Sequence, residues 1–117
     1  MINWQHISGE NELAELFNKS ESVVLFKHSE RCSVSRMAKR GFEADYDGAA
    51  TVYLVNVIDE RPISNQIALL TQITHQSPQV LVIKNGKCVY HASHDHINAD
   101  EVKKQLYFQW DSDIRKE

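Results

Sequence analysis

At 117 residues the chain is long enough to bury one hydrophobic core and too short for two, so a single domain over residues 1–117 is expected. With 42% hydrophobic and 25% charged residues it reads as an ordinary globular protein, and a net charge of -3 gives no general reason to bind nucleic acid or an anionic membrane. The two cysteines make no disulfide framework, no apolar run approaches the roughly 20 residues of a membrane span, and residues 1–6 carry neither a basic leader nor an apolar stretch, so a cytoplasmic protein with reduced thiols is expected.

A short opening strand fits residues 4–7. The first helix is expected over 8–19, with Ser8 as its cap, Glu10 and Glu12 in the acid-favouring first turn, and a stripe of Leu13, Leu16 and Phe17. Residues 22–28 read as a strand whose continuous apolar centre marks burial on both faces. A second helix runs over 32–46. Its Val34, Met37, Ala38 and Phe42 fall at i, i+3, i+4 and i+8 and are expected to face a core, with Gly41 letting the helix approach the sheet closely. Asp47 and Gly48 end it, and 51–57 is a second buried strand.

Arg61 and Pro62 open a third helix with Ile63, Ile67 and Leu70 inward. Residues 79–84 are a strand, Asn85 and Gly86 a two-residue hairpin turn, and 87–91 the returning strand. Asn98 or Asp100 caps a last helix carrying Val102 and Leu106 and ending at Phe108 or Trp110, with residues 111–117 frayed. The order (β)αβαβαββα predicts an α/β fold, a mixed central sheet with helices on both faces.

Cys32 falls at the junction of the first long strand and the second helix. There the unpaired amides and partial positive charge of a first helical turn favour the thiolate, which is the nucleophilic form. The spacing is C-x-x-S: Ser35 stands where a two-thiol oxidoreductase has its second cysteine, so it cannot resolve an adduct and is left with a hydrogen bond to the sulfur. Between 27 and 40, Lys27, Arg31, Arg36, Lys39 and Arg40 face Glu30 alone. Such a patch favours a thiolate and attracts a small anion; a solvated helix face is the plain alternative. Arg36 lies one turn along the cysteine's own side, whereas Lys39 and Arg40 are expected on the solvent face.

His28 reads as a structural residue more than as a base for the thiol, and Cys88 as a buried, inert thiol rather than a resolving one. Residues 88–96 combine Cys88 with His91, His94 and His96, but the spacing fits no zinc site. Strict strand alternation puts Cys88 and His91 on opposite faces, and no metal is expected.

Ser77–Pro78 stands just before the penultimate strand; a proline there cannot donate to a ladder, and X–Pro is the bond type in which a cis peptide costs little. Cys32 at a strand–helix junction together with Pro78 at the mouth of a hairpin resembles the thioredoxin fold over nearly the whole chain. That resemblance implies a cis Pro78 beside the nucleophilic sulfur and a Ser77 whose backbone N–H and C=O pair with an extended substrate.

More narrowly, Asn3–Trp4, the strand ending Phe26–Lys27–His28–Ser29, and Cys32–Ser33–Val34–Ser35 are similar to the bacillithiol-system YtxJ family, the monothiol bacilliredoxin-like proteins. The family motif is C-P-[IV]-S after a K-H-S triplet; its proline is Ser33 here, which keeps the amide N–H that proline lacks. The resemblance implies a monothiol thiol–disulfide oxidoreductase acting on mixed disulfides between client proteins and bacillithiol, a low-molecular-weight thiol. In that reading Cys32 is the nucleophile, Ser33 and Ser35 support it, and Arg31, Arg36, Ser77 and Pro78 contact the substrate. Bacillithiol is then a co-substrate, and no bound cofactor is implied. An iron–sulfur role would need C-G-F-S, whose glycine and aromatic are missing. The competing expectation is a thioredoxin-like binding or adaptor domain with a vestigial Cys32.

Overall fold

Every residue of Val23–His28 (β1) is buried, which only a strand with neighbours on both edges and helices on both faces can achieve. The computed structural model describes residues 2–108. Around β1 the chain builds Glu10–Asn18 (α1), Ser33–Asp45 (α2), Thr51–Asn56 (β2), Arg61–Thr71 (α3), Gln79–Lys84 (β3), Lys87–Ser93 (β4), a 3-10 turn at His94–His96, and Ala99–Tyr107 (α4). The four-stranded sheet has the order β2-β1-β3-β4. β1 runs parallel to β2 and antiparallel to β3, and β4 returns antiparallel to β3. Mixed sheet, helices on both faces and element order are as the sequence predicts. The opening strand is reduced to one parallel bridge, Gln5 to Tyr53.

Alternate residues of the strands feed two cores. Val24, Phe26, Val52, Leu54, Val80 and Val82 pack under α2 and α4 with Phe42, Val102 and Leu106. Val23, Leu25, Val55, Leu81 and Ile83 pack under α1 and α3 with Leu13, Leu16, Ile63 and Ile67. On the first face the rings of Trp4, Phe26 and Phe42 meet edge-on or tilted and Tyr46 stacks on Phe42, with centroids 5.1–6.2 Å apart. Phe42 is 2% exposed; burying such a ring contributes roughly 2–3 kcal/mol and holds the middle of α2 on β1.

Several expectations need correcting. Gly9, not Ser8, caps α1; the Ser8 N–H donates to the Glu12 carboxylate at 2.6 Å instead. On α2 the inward residues are Ser35 and Phe42, with Ala38 partly buried, while Val34 and Met37 are 48% and 71% exposed. The inner stripe is therefore rotated from the apolar pattern, because the position nearest the sheet's end is taken by the buried Ser35. Gly41 does not approach the sheet: it is exposed, and a Cβ built there meets nothing within 4 Å. Leu70 lies at the surface of α3, where Ser64 is buried with Ile63 and Ile67.

The hairpin turn is as read, with φ 53 at Asn85 and 76 at Gly86. Past it, β4 carries a bulge: Ile83 pairs with Cys88 and Val82 with Tyr90, leaving Val89 extra. Cys88 and His91, opposite Ile83 and Leu81, therefore share the α1/α3 face rather than lying on opposite ones. Asn98 caps α4, its side chain accepting from the Glu101 N–H at 2.9 Å. The helix ends at Tyr107; Trp110 and residues 111–117 lie outside the described residues. No helix among the described residues is long and apolar enough to cross a membrane.

Candidate functional site

Cys32 is the N-cap residue of α2, extended at φ -109 and ψ 121, partly exposed, and not in a disulfide. The loop that delivers it from β1 is tied down residue by residue. The Ser35 hydroxyl accepts the Ser29 N–H at 3.0 Å and lies 2.7 Å from His28 Nδ1. His28 Nε2 is 2.5 Å from the Glu30 carboxylate. The Ser29 carbonyl accepts the Cys32 N–H at 3.2 Å, and the Glu30 carbonyl accepts from the Arg36 guanidinium at 2.6 Å. With Nε2–H donating to Glu30, Nδ1 accepts the Ser35 O–H and Ser35 Oγ accepts from Ser29, so each polar atom of the chain is satisfied. The hydrogen bond from His28 holds the Glu30 carboxyl below its ordinary range.

This settles what His28 and Ser35 do locally. Both are fully buried, and both ring nitrogens of His28 are engaged, so the imidazole is a strut of the loop rather than a free base. The Ser35 hydroxyl is committed to His28 and Ser29 rather than to the sulfur. Ser33 and Arg31 are exposed beside Cys32. The sequence reading missed this network, although His28 and Ser35, seven positions apart across a strand–helix turn, were both in view.

The neighbouring end of β3 is held by a second set of buried polar groups. Lys27, counted from sequence in the basic patch, is fully buried under α3. Its ammonium donates to the Ser64 carbonyl at 3.0 Å and lies 3.2 Å from His75 Nδ1; burial lowers its pKa to about 8. Burial and the adjacent Lys27 charge lower that of His75. Gln79 donates to the Thr74 carbonyl at 3.0 Å. These contacts fix the turn carrying Ser77–Pro78, whose peptide bond is cis. The ladder between β1 and β3 ends at Lys27 and Gln79, so Pro78 follows next in register beside His28. The buried Ser77 hydroxyl has no protein partner.

The two flanks of α2 differ in charge. One side is a cleft of about 250 Å³ where Arg36, Lys39 and Arg40 meet His28, Glu30 and Glu43. Lys39 is not a solvent-face residue: it pairs with Glu43 at 2.9 Å and sits 5.6 Å from the centroid of the Trp4 ring. Trp4 Nε1–H also donates to Glu43, and this bond, with Lys39, keeps the Glu43 carboxyl low despite partial burial. A smaller cleft of about 170 Å³ joins Ser29, Glu30 and Arg31 to Asn56 and Asp59 at the ends of β1 and β2.

Cys88 lies at the other end of the sheet. Its partner Ile83 sits opposite Val23, the first residue of β1, whereas Cys32 follows the last. The five residue steps from Val23 to His28 alone amount to roughly 16 Å, well beyond disulfide reach. The Cys88 thiol donates to the Tyr90 carbonyl, and burial pushes its pKa up. Among the described residues no group of three or more His, Cys, Asp or Glu could hold a metal.

A partly exposed cysteine capping the helix that follows the central strand, and a cis proline opening the strand next to it, are set on a sheet of thioredoxin-fold order. The solved structures agree. A thioredoxin-fold protein described as a candidate oxidoreductase is 28% identical, with TM-score 0.72 over 86% of this chain and 90% of its own. Two thioredoxins share the fold at lower identity. That of Malassezia sympodialis is 17% identical (TM-score 0.68, 91% of this chain, 90% of its own), and that of Trypanosoma brucei brucei 14% (TM-score 0.69, 98% and 93%). The family described as monothiol bacilliredoxin BrxC matches residues 5–102, and the chain belongs to that family.

Proposed function

We propose that this protein removes bacillithiol from client proteins by monothiol disulfide exchange at Cys32. In the first step the Cys32 sulfur attacks the bacillithiol sulfur of a mixed disulfide. The Cys32–bacillithiol bond forms, the client–bacillithiol bond breaks, and the client leaves as its thiolate. In the second, the thiolate of another bacillithiol attacks the sulfur of the bound one, freeing Cys32 and releasing oxidised bacillithiol. One disulfide is exchanged for another at each step, so electrons balance without a further oxidant.

The observation that carries this reading is the isolation of Cys32. It is reachable and caps a helix, the buried residue at position 35 is a serine hydrogen-bonded elsewhere, and Cys88 is a sheet's length away. An adduct on Cys32 therefore persists until an external thiol arrives, as a carrier of a small thiol requires. Arg31 and Arg36 are the candidate contacts for the carboxylates of bacillithiol. Ser77, through its backbone and its unpartnered hydroxyl, and Pro78 are the candidates for holding the disulfide, and Ser33 contributes an exposed first-turn amide. Reduced free thiols suit a cytoplasmic setting.

Intact mass after incubation with oxidised bacillithiol, and again after reduced bacillithiol, tests the proposal. One bacillithiol should be gained on Cys32 and then lost. Cys32→Ser should lower turnover of a bacillithiolated client by at least about a thousandfold, while Cys88→Ser behaves as wild type. Full activity in Cys32→Ser, or an adduct located on Cys88, overturns it.

A further inference from the structure

The flank of α2 opposite the basic cleft carries a groove of about 420 Å³ between α2 and the His94–Asp100 segment. Its apolar lining comes from Val34, Met37, Ala38, Gly41, Phe42 and Ile97. It starts on the first turn after Cys32. On its opposite wall His94 donates its N–H to the Pro78 carbonyl at 3.0 Å, which ties that wall to the cis-proline turn. Two features have no explanation in packing. Met37 and Val34 are large apolar side chains left exposed on the helix that bears the nucleophile. Gly41 sits in the middle of that helix at a cost of about 1 kcal/mol relative to alanine, although a Cβ there would meet nothing within 4 Å. What the missing side chain provides is an open groove floor.

The rim is acidic. Asp45, Asp95 and Asp100 line it, with His94 the one basic-type residue among the lining side chains. Asp45 and Asp100 make no ion pair with the described residues, and Asp95 pairs only with exposed His96 at 3.5 Å. On α2 itself Arg36, Lys39 and Arg40 lie on the other flank, where Glu43 is paired with Lys39, whereas Asp45 faces the groove. The bacillithiol half of a mixed disulfide is anionic, so the acidic groove is the wrong flank for it.

We propose that the groove takes the client half of the mixed disulfide: an extended polypeptide segment with an apolar side chain next to the modified cysteine and a lysine or arginine beyond it. The inference rests on the proposed function, whose two partners it assigns to the two flanks of one helix. The apolar side chain lies against Met37 and over Gly41, and the cation meets Asp45, Asp95 and Asp100. Bacillithiol is left to the basic flank, so client and small thiol approach Cys32 without competing for one surface.

The test compares bacillithiol mixed disulfides of three synthetic substrates: capped cysteine, a peptide with leucine and lysine beside the cysteine, and the same peptide with glutamate for lysine. With wild-type protein the leucine–lysine peptide should exceed capped cysteine in kcat/KM by about tenfold or more, with the glutamate peptide between them. Gly41→Trp, which fills the groove, should erase the peptide's advantage over capped cysteine. Asp45→Asn/Asp95→Asn/Asp100→Asn changes exposed side chains only and should erase the preference for lysine over glutamate, even if the tryptophan variant fails to fold. If wild type turns over none of the three, the parent reading falls. If it turns over all three alike, or the advantage survives Gly41→Trp, the groove is not the client's. An equal slowing of peptide and capped cysteine in Gly41→Trp would assign the groove to bacillithiol and also overturn the inference.

Discussion

Lys27 is the residue whose setting departs furthest from what its type suggests. Lysine is almost never fully buried without a partner, and here the partners are a helix carbonyl and an imidazole rather than a carboxylate. Burial lowers its pKa from 10.5 to about 8. Between these values the unfolded chain holds a proton on Lys27 that the folded protein has lost, so stability rises with pH across that window. Urea unfolding should show wild type gaining on Lys27→Met as pH rises from about 7.5 to about 9.5; a pH-independent difference between them would show that the buried amine does not titrate early. Sequence could not have revealed this. A lysine at a strand's end reads as a surface charge, and only α3 and the His75 turn closing over it make it internal. The same holds for His28 and Ser35, whose partnership depends on the sharp return of the chain at residues 29–32.

At the scale of elements, the glycines at 41 and 86 make opposite demands, and alanine at each separates them. Gly86 has φ +76, and a Cβ there would lie 2.3 Å from the Phe17 carbonyl oxygen, a backbone atom that cannot swing aside. Gly86→Ala should cost roughly 1–3 kcal/mol. Gly41 is helical with open space around it, so Gly41→Ala should add about 0.5–1 kcal/mol. Thermal unfolding of the two variants checks both signs; a destabilised Gly41→Ala would mean the helix needs glycine for a reason other than the groove. Strands, helices and the Asn85–Gly86 turn were legible because period, caps and turn residues agreed. The inward face of α2 was not, since Val34 and Met37 have the spacing of a core stripe whether they meet a sheet or border a groove. The bulge at Val89 leaves no mark in the sequence, and the alternation argument for Cys88 and His91 failed with it.

Across the whole molecule, polar burial and charge are arranged about one end of the sheet. The buried polar side chains Lys27, His28, Ser35, Ser64 and Gln79 all border the loops that present Cys32 and Pro78, while the rest of the core is apolar. The cost of burying them is thus concentrated where the backbone must be held still. The chain as a whole carries a net charge of -3, yet exposed Arg31 adjoins Cys32 and exposed Arg36 holds the Glu30 carbonyl of the loop that presents it. An anionic disulfide should therefore be drawn to Cys32 against the repulsion of the molecule as a whole, and only over short range. Raising salt from about 0.01 M to about 1 M shrinks the Debye length from about 30 to about 3 Å. The rate at which Cys32 reacts with oxidised bacillithiol should then fall several-fold, while that with neutral hydroxyethyl disulfide stays flat. Arg31→Glu should flatten or reverse the first dependence without touching the second, because exposed Arg31 makes no hydrogen bond to the described residues that builds the loop. Equal salt slopes for the two disulfides in stopped-flow measurements would show that the arginines do not steer the small thiol, and would remove the charge argument for placing it on that flank.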